Sequence, residues 1–249
     1  MTGWLAVAGL GPGNEALVTP EVSAALADAT DVIGYIPYVA RVAPRQGLTL
    51  HASDNRVELD RARLALELAA AGHRVVVVSS GDPGVFAMAA AVFEALEAGP
   101  EAWRSLAISV LPGITAMLAA SARAGAPLGH DFCAINLSDN LKPWPLIERR
   151  VRLAAEADFA IAFYNPRSRA RPDALDRIFA VLRDACADDR PVLFARAVST
   201  PEESLRVVPL PQALGEMADM RTMVIVGSSL TRTIARPAGD LLYTPRSAP

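Results

Sequence analysis

"VVVVSSGDPGVFAMAAAV" occupies Val75–Val92. Four consecutive valines follow Arg74 with no polar residue between them, the pattern of a strand buried on both faces. The run stops at Ser79-Ser80-Gly81-Asp82-Pro83-Gly84, a cluster of small residues with one carboxylate. An Ala-rich apolar segment of helical type opens at about Val85. Strand, corner and helix in that order point to an α/β protein, and in open α/β sheets ligands bind beyond the carboxyl ends of the strands. The stretch therefore indicates both the fold class and where a site should be sought.

The same texture continues on either side. Before it come "WLAVAGL", a helix from about Pro20, "DVIGYI" and a helix from about Val57; after it comes "LAISVL". Buried parallel strands joined by crossover helices read this way. At "LPGITAML", Pro112-Gly113 closes a strand and a second Ala-rich helix begins, which marks a hinge. Two α/β domains are expected, 1–112 and 113–249. The second would contain "HDFCAINL", a helix from about Pro143, "DFAIAFYN", a helix from about Pro172, "PVLFARAV", a weaker strand at "SLRVVPL", and "TMVIVGSS". Its strand directions are not legible. The 249 residues, 52% hydrophobic, suffice for two modest cores without staples.

The formal net charge is −3, and all but one of the 24 basic residues are arginine, Lys142 being the exception. This balance argues against a nucleic-acid stripe. The arginines are solvated, or a few of them clamp a polyanionic substrate through their bidentate forks. No apolar run reaches the roughly 20 residues that span a bilayer, and no early segment reads as a leader. The expectation is a cytoplasmic protein without a membrane partner. Cys133 and Cys186 match no metal spacing and read as ordinary buried thiols in a reducing compartment. The three histidines show no metal spacing either, so no metal is expected, and no G-x-S-x-G elbow is present.

Three strand-end corners carry the chemistry. In "AVAGLGPGN", Gly9, Gly11 and Gly13 suggest a dinucleotide fingerprint, but the third glycine comes one residue early and Pro12 offers no N–H to a pyrophosphate. The second apolar strand ends on Tyr35 rather than on an acid for a ribose hydroxyl. In "SSGDPG", Gly81 and Gly84 let backbone approach a ligand, and Pro83 suits a helix entry. Asp82 either caps the following helix or faces a ligand. No lysine is present for a phosphate loop, so a ligand with hydroxyls and a positive centre suits better than a triphosphate. In "LPGITA", Thr115 offers a hydroxyl and Ala116 leaves room beside it, one strand along from "SSGDPG" if strands and helices alternate.

Taken together, "GLGPGN", "SSGDPGVFAMA" and "PGITA" resemble the tetrapyrrole (precorrin/uroporphyrinogen) methylase family in order and spacing, and "AFYNPRS", "FARAVSTPEE" and "TMVIVGSS" continue the likeness over nearly the whole chain. The segments "APLGHDFCAINLSDNLKPW" and "FYNPRSRARP" resemble its ring-contracting members in cobalamin biosynthesis. The resemblance implies two α/β domains meeting over a trough for cofactor and substrate, S-adenosylmethionine as cofactor with S-adenosylhomocysteine as product, a precorrin as substrate, and a homodimer. It assigns the cofactor to Pro12, Ser80, Gly81, Asp82, Val85, Thr115, Ala116, Asn165 and Ala197. Relatives that methylate uroporphyrinogen carry an acid where this chain has Tyr35, so the role of that acid does not transfer.

The implied reaction is methylation of ring carbon 17 with contraction of the macrocycle. Methyl transfer asks mainly for alignment. Contraction also asks for a proton to be moved, and His130, Asp139 and Tyr35 are the catalytic candidates, with Asp131, Tyr38 and Asp54 nearby. His130 and Asp131 otherwise simply start a strand, and Asp139 caps a turn. Arg41, Arg167, Arg169 and Arg196 are candidates for substrate carboxylates. Methylation at another ring position, and a non-catalytic module that binds S-adenosylmethionine or a tetrapyrrole, remain open alternatives.

Overall fold

Residues 3–54, 57–186 and 189–247 are described by a computed structural model, and the chain divides into two compact units, 1–115 and 116–249. The first contains β1 (Trp4–Gly9), α1 (Pro20–Asp28), β2 (Asp31–Tyr35), α2 (Ile36–Val39), β3 (Thr49–Ser53), α3 (Glu58–Ala70), β4 (Arg74–Ser79), α4 (Met88–Ala98) and β5 (Ala107–Leu111). The strands form one sheet in the order β3-β2-β4-β1-β5, and every pairing is parallel.

Val75–Val78 of β4 are fully buried, two on each face. Val75 and Val77 join Leu5 and Val7 of β1 against Ala62, Ala65 and Leu66 of α3 and Val92 of α4. Val76 and Val78 join Ala6 and Ala8 against Val22 of α1 and Val39 of α2. Helices on both faces leave a central strand no solvent side, which is why the valine run shows no alternation. α1 begins where its sequence says it should: Thr19 accepts the Val22 N–H at 3.3 Å, and Pro20 occupies the first turn. α4 begins at Met88 rather than Val85, because Phe86 is left-handed (φ 53°) and Ala87 is extended.

The amino ends of these strands are tied by a buried carboxylate. Asp31 meets Nε2 of His51 at 2.8 Å, Nδ1 of His73 at 2.7 Å, and the Thr30 hydroxyl at 2.8 Å. Burial works to raise its pKa, but the hydrogen bonds from His51, His73 and Thr30 outweigh it and hold Asp31 below the ordinary carboxylate value. The cluster joins β3, β2 and the entry to β4, at the opposite end of the sheet from the glycine corners.

The second unit contains α5 (Ala116–Ala124), β6 (Gly125–Ala126), β7 (Phe132–Asn136), α6 (Trp144–Glu156), β8 (Ala160–Tyr164), α7 (Ala174–Ala185), β9 (Pro191–Arg196), β10 (Ser204–Pro209), β11 (Thr222–Val226), β12 (Arg232–Ile234) and β13 (Leu241–Tyr243). Its main sheet runs β10-β9-β11-β8-β7 and is mixed. β7 and β8 are parallel, whereas β11 is antiparallel to both its neighbours and β10 is antiparallel to β9. Ile147 and Val151 of α6 and Leu175, Ile178, Phe179 and Leu182 of α7 cover one face, against Ile161, Phe163, Val192 and Val224. β6, β12 and β13 form a separate small sheet.

Both cysteines are partly rather than fully buried. Burial pushes the Cys133 thiol up to about 11, and the Cys186 thiol donates to the Leu182 carbonyl at 2.9 Å. Among the described residues, no helix is long and apolar enough to cross a membrane.

Candidate active site

In the first unit β1 lies between β4 and β5, with Gly9 opposite Ser79 and Ala8 opposite Leu111. The three corners therefore leave the carboxyl ends of three neighbouring strands. The "PGITA" corner stands next to "GLGPG" and is separated from "SGDPG" by β1, one strand further than simple alternation suggests. The corners nevertheless meet. Gly11 and Gly81 exchange backbone hydrogen bonds, N–H to C=O, at 3.1 and 3.0 Å, and Leu10 N–H donates to the Ser79 carbonyl at 2.8 Å.

Glycine is required where these segments touch. A Cβ on Gly9 would lie 2.5 Å from the Gly81 oxygen and 2.9 Å from Gly113 Cα. A Cβ on Gly113 would fall against the Gly81 oxygen and 2.7 Å from the Gly9 oxygen. Gly11 and Gly81 are also left-handed, at φ 65° and 63°. Neither Gly9 nor Gly113 is among the cofactor contacts that the resemblance implies; the strand order is what brings them together.

Asp82 secures this junction. Its Oδ1 accepts the Gly84 N–H at 2.8 Å, and its Oδ2 accepts the Gly113 N–H at 3.1 Å, 31 residues away in sequence. The capping alternative falls, since the N-cap of α4 is Ala87. Asp82→Asn keeps the shape but can present only one oxygen to two N–H donors. The expected outcome is a loss of about 1–3 kcal/mol from the junction. Cofactor affinity should fall by more than the accompanying drop in Tm explains. Calorimetry beside a melting curve checks it, and unchanged values of both would remove Asp82 from the junction.

Around the corners stand Tyr35 at the end of β2, Tyr38 in α2, and two arginines. The rings of Tyr35 and Tyr38 meet edge to face, 5.3 Å apart. Tyr38 bonds the Ser80 side chain, yet burial and the neighbouring Tyr35 raise its pKa. Arg61 is buried and donates to Ser53 Oγ at 2.9 Å and the Asp54 carbonyl at 2.8 Å. Arg41, a candidate for substrate carboxylates, is instead turned onto the carbonyls of Leu10, Gly11 and Gly13 at 2.5, 3.3 and 3.2 Å.

In the second unit β7, β8 and β9 run in one direction, so Asn136, Asn165 and Ala197 share one edge of the sheet. Asn165 (φ 51°), Ala197 (φ 49°) and Ser199 (φ 66°) are left-handed, and for residues other than glycine this is strain of the kind that clusters at ligand sites. Asn165 Nδ2 donates to Asn136 Oδ1 at 3.0 Å, which also accepts the Ser138 N–H at 2.9 Å. Tyr164 accepts the Met117 N–H at 3.3 Å. Asn136 was not singled out in the sequence; its only signal was its place as the last residue of an apolar strand.

Asp139 lies beyond this same end of β7 and pairs with Arg171 at 3.5 Å, and Arg171 also donates to the Leu137 carbonyl at 3.2 Å. His130 and Asp131 stand at the opposite end of the strand, with His130 Nδ1 3.9 Å from Asp131 Oδ2. The structure therefore separates His130 from Asp139 by the length of β7. Arg196 is paired with Asp219 at 2.7 Å and Arg167 donates to the Pro172 carbonyl at 3.1 Å, while Arg169 is exposed.

In each unit the strand ends carry the features of ligand sites in an α/β protein, glycine corners on the parallel sheet of the first and left-handed residues beyond the strands of the second. The chain belongs to the Tetrapyrrole (Corrin/Porphyrin) Methylases, whose family profile matches residues 5–214, and it is a methyltransferase. It is 56% identical to the precorrin-3B C(17)-methyltransferase of Sinorhizobium sp over 247 residues, 99% of this chain and 97% of that protein. The crystal structure of the methyltransferase CobJ superposes with a TM-score of 0.94 at 67% identity, covering 98% of this chain and all of that one. Uroporphyrin-III C-methyl transferase from Thermus thermophilus, solved with S-adenyl homocysteine, shares the fold at a TM-score of 0.68 and 23% identity, over 90% of this chain and 92% of its own.

Proposed function

We propose that this chain transfers a methyl group from S-adenosylmethionine to carbon 17 of precorrin-3B and contracts the macrocycle to precorrin-4, in cobalamin biosynthesis. The observation that carries the reading is the likeness, over nearly its full length, to the Sinorhizobium enzyme of that name. The donor set agrees with the cofactor. The corners offer carbonyls, the hydroxyls of Ser80 and Thr115, and the Asp82 carboxylate, with no lysine among them. Such a set suits a ligand with hydroxyls and a cationic centre. Pro12, Ser80, Gly81, Asp82, Val85 and Thr115 of the first unit, and Ala116, Asn165 and Ala197 of the second, are the proposed contacts. A homodimer and a cytoplasmic setting belong to the same reading.

The cofactor supplies an activated methyl group on a sulfonium. The residues have to hold that carbon in line with the ring carbon and keep water away, and alignment of this kind contributes roughly 7–11 kcal/mol. The glycine junction serves it by packing the corner backbones closely and tying them by hydrogen bonds. The ring carbon's electron pair makes the new bond while the sulfur departs with the pair of the old one as a neutral thioether. For contraction, a hydroxyl proton must leave as the skeleton migrates, and Asp139 and Tyr35 are the groups proposed to take it. His130, at the other end of β7 from Asp139, is not part of the proposal.

Two measurements test the reading. Calorimetry should show binding of S-adenosylhomocysteine and none of NAD. Incubation with precorrin-3B and labelled S-adenosylmethionine should give a contracted product, methylated at carbon 17 by mass and carbon NMR. NAD binding alone would sink the reading, label on another carbon would move the activity to a different ring position, and binding without turnover would make the chain a sensing module.

A further inference from the structure

The first corner is gripped by a cation that the reaction above does not use. Arg41, just beyond α2, is partly buried, and its hydrogen bonds go to backbone carbonyls while Glu15 acts on it only as a nearby charge. Arg171, Arg190 and Arg196, by contrast, are each paired with an aspartate. One terminal nitrogen of Arg41 donates to the carbonyls of Leu10 (2.5 Å) and Gly13 (3.2 Å), and the other donates to Gly11 (3.3 Å). Three carbonyls of one short turn thus converge on one guanidinium. Burial lowers the pKa of Arg41, as expected of a cation taken from water, although the nearby charges of Glu15 and Tyr38 work to raise it.

The turn needs such a grip. Gly11 and Gly13 have more backbone freedom than any other residue type, and Pro12 cannot donate a hydrogen bond to fix the loop. The Gly11–Gly81 pair anchors one side of the turn. Arg41 anchors the other through Gly13.

We propose that Arg41 is a positioning residue for the cofactor: by holding the peptide planes of residues 10–13 it presents Pro12 and its neighbours in a single arrangement. This rests on the reading that the corner takes S-adenosylmethionine. Ordering the turn during folding spares that entropy cost at binding. Loss of the guanidinium shifts the cost to the binding step, where it weakens affinity and leaves the bound complex competent. Lysine keeps the charge but lacks the planar fork that reaches three carbonyls at once.

The test compares wild type, R41Q and R41K by calorimetry with S-adenosylhomocysteine, by steady-state kinetics and by melting curves. R41Q is expected to bind the thioether about tenfold more weakly, with R41K in between, and KM for S-adenosylmethionine should rise in step while kcat stays within about threefold. If R41Q fails to fold, R41K carries the comparison. Wild-type affinity in the folded variants overturns the proposal, as does unfolding of both. A fall in kcat at unchanged KM also overturns it, because Arg41 would then act on the macrocycle. Failure of the wild type to bind S-adenosylhomocysteine would instead defeat the cofactor reading and is visible before any variant is made.

Discussion

Gly113→Ala is expected to abolish useful cofactor binding, weakening S-adenosylhomocysteine by about 100-fold or more, equivalent to about 3 kcal/mol. The added methyl group meets backbone on every side: the Gly81 oxygen, the Gly9 oxygen at 2.7 Å and the Gly9 carbonyl carbon at 2.9 Å. No flexible side chain can step aside. Relief requires the end of β1 to part from β5, or the second corner to swing away, and either motion breaks the Asp82–Gly113 bond. The cores lie deeper in the sheet, so the variant should still melt cooperatively, with a Tm lowered by overpacking. Calorimetry and a melting curve decide the matter. Affinity within about threefold of wild type would mean that the junction does not shape the binding site.

Asp139→Asn should divide the reaction. Methyl transfer asks for alignment alone, whereas contraction needs a proton acceptor, whose removal typically costs about 10²–10⁴-fold in that step. Methylated, uncontracted macrocycle should therefore accumulate in a single turnover, with cofactor affinity near normal. Asn keeps the shape of the side chain and can still accept from Arg171, which stands 3.5 Å away. Arg171→Met supplies the control: if it alone reproduces the accumulation, Asp139 acts by placing the loop rather than by taking the proton. Accumulation in His130→Ala but not in Asp139→Asn would move the role to the other end of β7, and contracted product at the normal rate from both would leave Tyr35.

Much of the first unit could be read directly. Val75–Val78 announced a doubly covered strand because nothing polar can point anywhere from such a position. β3 was missed because Thr49–Ser53 is an edge strand with no fully buried residue and no clean alternation. The corners were legible one at a time, but their junction was not. Gly9, Gly81 and Gly113 meet only because β1 sits between β4 and β5, an order that chain sequence does not dictate. Asp82 was ambiguous for the same reason, since one of its two N–H partners lies 31 residues away. Ala197 carried no local sign of its left-handed backbone, for alanine is not a residue that favours it. The resemblance alone singled out Ala197, as a proposed cofactor contact.

The strand order also fixes a timetable for synthesis. β1 leaves the ribosome well before its two partner strands, β4 and β5. At roughly 5–20 residues per second it waits some seconds for Arg74 to follow, as an apolar segment with both edges open to wrong pairing. Only when β5 and Gly113 arrive can the last edge close and the three corners lock. A small molecule that binds those corners therefore stabilises the finished sheet and none of its precursors.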